Sequence, residues 1–144
     1  WGVPILEGVK QKQLGAGIGH YPGSALPGNE GNFSLFGHRT AYGEPLVHIE
    51  QLAKGDEVIV RTADYWFVYI LQMDRIVEPS ALGVTSNAPL TELQPDPNRP
   101  YHTITLITCE PRWSDAKRWV WWGTLRAVYP ASTPPLVILA VDGN

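Results

Sequence analysis

Cysteine is almost absent from this chain: Cys109 is the only one in 144 residues, so no intrachain disulfide can form. Charge is scarce as well. Asp, Glu, Lys and Arg make up 17% of the residues, below the usual share of about a quarter. The net charge is −3 and no block of Lys or Arg stands out, which excludes the basic footprint of a nucleic-acid or anionic-membrane binder. Long hydrophobic runs are missing too. Leu136–Val141, like Tyr65–Leu71, falls far short of the ~18 apolar residues a spanning helix needs. The chain starts at Trp1 with no Met and no signal-like n-region. That is the expectation for a domain excised from a longer protein, any membrane anchor lying on a missing N-terminal segment. One Cys and no tight His or carboxylate spacing also leave no basis for a metal site, and no cofactor is expected.

Turn residues, by contrast, are abundant. The chain has 14 Gly and 13 Pro, which separate short apolar runs in the manner of an all-β barrel or sandwich. Strands are predicted at Ile18–Tyr21, Asn32–His38, Glu57–Thr62, Tyr65–Val77, Thr103–Thr108 and Arg118–Tyr129, with Leu136–Val141 as a further candidate. Pro22–Gly31 and Pro79–Pro100 read as loops, and Lys54-Gly55-Asp56 as a turn. Leu46, Ile49 and Leu52 are spaced for one helical turn, and a second is predicted near Ser80–Gly83. No linker or repeat divides the chain, so residues 1–144 are expected to form one catalytic domain.

The lone thiol closes the run Thr103-Ile104-Thr105-Leu106-Ile107-Thr108-Cys109, and Arg118 opens the next strand after an eight-residue loop, Glu110–Lys117. If the two strands form a hairpin, Cys109 and Arg118 face each other across its mouth, where cross-strand neighbours lie ~5 Å apart at Cβ. A thiol, a base and a guanidinium are the parts of a cysteine acyl-transfer site. With ordinary acidities a Cys–His pair carries the reactive thiolate–imidazolium form in only about 1% of molecules. A cationic neighbour such as Arg118 raises that fraction and stabilises an oxyanion. Arg112 and Lys117 are its rivals. Four histidines compete for the base. His38 closes a strand beside a loop. His20 and His48 read as structural, and His102 lies about 20 Å from Cys109 along an extended strand. The residues alone favour His38 without settling the choice. Trp113, Trp119, Trp121 and Trp122 either wall the site or fill the core, the core being favoured.

Three motifs then stand in order. Thr105-Leu106-Ile107-Thr108-Cys109 resembles the TLxTC signature of sortases, Arg118 stands where their Arg follows the Cys, and Gly37-His38-Arg39-Thr40 resembles their GHR histidine motif. Pro27-Gly28-Asn29-Glu30-Gly31-Asn32 resembles the usual approach to that motif, and the likeness runs from about Gly17 to Tyr129. Gly37–Thr40 followed by Tyr42-Gly43 looks most like class E, the housekeeping sortases of actinobacteria, with class C second.

The resemblance implies a closed, mainly antiparallel β-barrel with one or two short helices. It implies that Cys109 attacks the Thr–Gly bond of an LPxTG- or LAxTG-type sorting signal, with His38 as acid/base and Arg118 as substrate and oxyanion stabiliser. Thr108 and Tyr42 become candidate substrate contacts, Tyr42 for the LAxTG preference. The acyl group then passes to an amine of a cell-wall precursor, on the extracellular face of the plasma membrane of a Gram-positive cell. Three other readings stay open: a class C-like pilin polymerase, a cysteine peptidase with water as acceptor, and a non-catalytic peptide-binding β-domain. An L,D-transpeptidase is disfavoured, because its motif places His and Gly just before the Cys, where this chain has Thr108.

Overall fold

Alternation decides the architecture. In a strand, every second side chain shares a face, and Phe33 and Leu35 alternate in this way, as do Ile104 and Leu106 on a later run. In a computed structural model, which describes residues 3–37, 51–77, 101–108 and 118–133, these four side chains enter one core. Seven strands form a single sheet: β1 (Ile5–Glu7), β2 (Ile18–His20), β3 (Gly31–Gly37), β4 (Glu57–Arg61), β5 (Tyr65–Val77), β6 (His102–Thr108) and β7 (Arg118–Pro130). A short helix, α1 (Gln11–Leu14), joins β1 to β2. The strand order is β1-β2-β3-β6-β7-β5-β4. β1 runs parallel to β2 and β3 parallel to β6; the other neighbouring pairs are antiparallel.

The sheet curls strongly. Phe33 on β3 and Tyr69 on β5 have β6 and β7 between their strands, a span of roughly 14 Å if the sheet were flat. Their ring centroids are 6.2 Å apart. The concave face therefore closes on a core of Phe33, Leu35, Val60, Phe67, Tyr69, Leu71, Ile104, Leu106 and Trp121. Burying each large apolar side chain of this kind contributes about 1.5–3 kcal/mol. On the opposite face Ile107, Val120 and Trp122 form a second cluster, flanked by Phe36, Met73 and Val77.

Most predicted strands are present within a residue or two of their expected bounds, and the all-β, mainly antiparallel architecture is as expected. The β4–β5 hairpin turns at Ala63-Asp64, where the Thr62 N–H donates to the Tyr65 carbonyl at 2.9 Å. Lys54-Gly55-Asp56 turns the chain. β1 and α1 were not expected: β1 is three residues long with no buried alternation to reveal it. The predicted loop over 79–100, the helical turn near Ser80–Gly83, the strand Leu136–Val141 and all but the last two residues of the Leu46–Leu52 turn lie outside the described residues. Among the described residues no helix is long and apolar enough to cross a membrane.

Candidate active site

β3 and β6 are parallel neighbours, and their register runs from Gly31↔His102 to Gly37↔Thr108. Both strands thus end side by side, and the next residues in sequence are His38 and Cys109. β7 begins at the same end of the sheet. Its register with β6 reaches Ile107↔Val120, and Trp119 and Arg118 are the two residues beyond. Beyond that last pair, Thr108 makes the contact with its side chain. Its Oγ1 accepts the Trp119 N–H at 3.1 Å and lies 3.4 Å from the Trp119 carbonyl oxygen, to which it can donate. Thr108 is 1% exposed, so this hydroxyl is a buried fastening between the ends of the two strands.

Arg118 is half-buried at the start of β7, opposite Val77. Strand alternation places it on the face of Val120 and Trp122 rather than on the core face. Among the described residues, no hydrogen bond or ion pair holds its guanidinium. Thr108 and Trp119 point the other way: Thr108 alternates with Leu106, and Trp119 packs against the concave core. The Trp119 indole Nε1 donates to Asp74 Oδ2 at 2.9 Å. Of the other tryptophans, Trp121 lies in the concave core and Trp122 in the second cluster, so both serve as core.

The competing histidines in the described residues have structural partners. His20 is 5% exposed; its Nδ1 meets Glu7 Oε1 at 2.7 Å, and its Nε2 meets the Ala25 carbonyl at 2.9 Å. His102 stands opposite Gly31, at the far end of β6 as its spacing predicted. Its Nδ1 is 3.0 Å from the Gly28 carbonyl. His38, Tyr42, His48, Cys109, Arg112, Trp113 and Lys117 lie outside the described residues. Among the described residues no group of three His, Cys, Asp or Glu side chains is placed to hold a metal ion.

At the other end of the strands, Gly28 has φ of +79° and a Cβ there would meet the Phe67 ring at 2.1 Å. Its N–H donates to the Tyr69 hydroxyl at 2.8 Å. Burial pushes the Tyr69 phenol up to about 12, the Gly28 N–H partly offsetting the rise. Asp74 is the site-end residue that sequence reasoning missed. Alternation counted forward from Leu71 puts it on the wrong face, and only a bulge, invisible in the sequence, turns it round.

Comparison with known proteins places the fold in a family. Residues 1–126 match the family model described as a sortase domain. Sortase SrtE1 of Streptomyces coelicolor is 37% identical over 142 residues, covering 90% of this chain and 38% of that protein. Sortase SrtE2 of the same organism is 32% identical over 127 residues, covering 84% of this chain and 49% of that protein. The chain therefore spans less than half the length of these curated relatives. Among solved structures, sortase E1 from Streptomyces coelicolor with a tripeptide in the active site superposes with a TM-score of 0.80 at 34% identity. That match covers 94% of this chain and 88% of the other. A shared fold and a match over most of the sequence lead to one conclusion: the chain belongs to the sortase family, whose members are cysteine transpeptidases.

Proposed function

We propose that this protein is a class E-type sortase that cleaves an LPxTG- or LAxTG-type sorting signal between Thr and Gly and transfers the acyl part to a cell-wall amine. The observation that carries the reading is the strand register: Gly37 opposite Thr108, with Arg118 opening β7 at the same end. One residue further along the chain from that pair stand His38 and Cys109. In this reading the Cys109 thiolate attacks the Thr carbonyl carbon, and Arg118 stabilises the oxyanion that forms. The C–N bond breaks as His38 gives its proton to the leaving Gly nitrogen. The amine then attacks the thioester, His38 takes its proton, and Cys109 leaves as thiolate. Thr108 fixes the end of β6, and Tyr42 is the candidate contact for an LAxTG signal. A peptide substrate is in keeping with the tripeptide in the active site of the sortase E1 relative. The site of action proposed is the outer face of a Gram-positive plasma membrane.

The test is to incubate the protein with an LAxTG peptide, with and without a primary amine, and to read the products by mass spectrometry. Ligated product is expected. Hydrolysed product alone, even at high amine, would assign the site to a peptidase.

A further inference from the structure

The register between β5 and β7 slips between Leu71 and Met73: Leu71 pairs with Gly123, and Met73 with Trp122. Two steps on β5 match one step on β7, so Gln72 is an extra residue, a β-bulge. A bulge re-aims the side chains that follow it. Leu71 belongs to the concave core, whereas Met73, two residues on, flanks the cluster on the opposite face. Asp74 is thereby turned onto the concave side with Trp121, its register partner. Trp119 lies diagonally across from it, within reach of long side chains, and donates its indole N–H to Asp74 at 2.9 Å. The Trp119 backbone is in turn held by buried Thr108.

We infer that Asp74, Trp119 and Thr108 form a brace behind the catalytic strands. It joins β5, β7 and β6 on the face opposite Arg118, and it sets the spacing between Cys109 and Arg118. Asp74 touches no substrate in this scheme; it is a positioning residue acting through Trp119. The inference rests on the reading of Cys109 and Arg118 as the reacting pair. The reason for a brace is local. The described β6–β7 register ends at Ile107↔Val120, so towards β6 these side chains carry the contact, while on the other side β5 pairs with the same residues through Ile76↔Trp119 and Val77↔Arg118. Without Asp74, the indole loses a charged acceptor and Trp119 gains freedom one residue from Arg118.

The experiment compares Asp74→Ala, Asp74→Asn, Trp119→Phe and the Asp74→Ala/Trp119→Phe pair. Three quantities are measured: thermal midpoint, kcat and KM on an LAxTG peptide with amine, and the pH profile of Cys109 alkylation by iodoacetamide. Asp74→Ala and Trp119→Phe should each lower kcat about five- to tenfold with KM within twofold, and the pair should be no slower than the slower single variant. Asp74→Asn keeps an oxygen acceptor and should restore kcat to within twofold. Both disrupting variants should move the alkylation profile to higher pH, because a thiol further from Arg118 is harder to ionise. Removing the Asp74 charge alone would move it the other way, so the sign separates positioning from charge. Unchanged rates, additive losses, no rescue by Asn, or a downward shift would each overturn the brace. If the unsubstituted protein processes no sorting peptide, the transpeptidase reading fails. The alkylation profiles still decide the brace.

Discussion

The two ends of the β3–β6 pair are built in opposite ways. At the Gly31↔His102 end the backbone is tied on several sides. Gly28 donates to the Tyr69 hydroxyl, accepts from His102, and presses against the Phe67 ring with no room for a Cβ. At the Gly37↔Thr108 end a side-chain hydroxyl fastens the strand ends, and Arg118 is held by no described hydrogen bond or ion pair. One end spends its polar groups on each other. The other, in the proposed mechanism, keeps the Arg118 cation available for a substrate. Stability and chemistry are thus expected to separate along the length of the same two strands.

Substitutions at the two ends should therefore fail differently. The largest effect is expected from Cys109→Ala, which should abolish the acyl-enzyme while leaving the thermal midpoint almost unchanged; a thioester adduct seen by mass spectrometry in this variant would remove Cys109 from the mechanism. Arg118→Lys keeps the charge but loses the planar fork. A drop in kcat/KM of about 10²–10³ is expected, comparable to losing an oxyanion donor, with circular dichroism unchanged. Near-normal rates would transfer the role to Arg112 or Lys117.

The far end should show the reverse. Gly28→Ala forces a side chain into positive φ and into the Phe67 ring, at a cost of roughly 2–4 kcal/mol. Urea unfolding should register this loss, while kcat per folded molecule stays put. A fall in kcat larger than the loss of folded protein would mean that the two ends are coupled. Tyr69→Phe should cost about 1–2 kcal/mol, since the Gly28 N–H loses its acceptor. It should also change the alkaline limb. The folded phenol is raised from 10.0 to about 12, so the folded protein holds a proton that the unfolded chain releases first. Stability from this group is full below pH 10 and falls as pH rises towards 12, by up to roughly 2–3 kcal/mol. Tyr69→Phe should flatten that decline. An equal slope in both proteins would place the titration elsewhere.

The strands were legible because alternation and turn chemistry act locally. Phe33 and Leu35, or Ala63-Asp64, announce themselves within a few residues. The family was legible because a solitary cysteine follows Thr105-Leu106-Ile107-Thr108 in the sequence, a pattern that resembles the sortase signature. Strand order was harder to read. Nothing local in Asn32–Gly37 says that its neighbour is Thr103–Thr108 or that the two run parallel. β1 was missed because its three residues are mostly exposed and leave no alternation. Asp74 was missed for a sharper reason: one extra residue at Gln72 reverses every later side chain on β5, and a sequence pattern carries no mark of it.

The parallel register of β3 with β6 has a consequence for how the protein comes into being. Its paired residues are about seventy positions apart, and non-local parallel pairing is slow because a long loop must close first. During synthesis, the histidine segment emerges well before the cysteine segment. A chain made only as far as β5 contains His38 but not yet Cys109. In the proposed mechanism Cys109 therefore gains the neighbours that activate it only once β3, β6 and β7 have paired, and its reactivity should report that folding has finished.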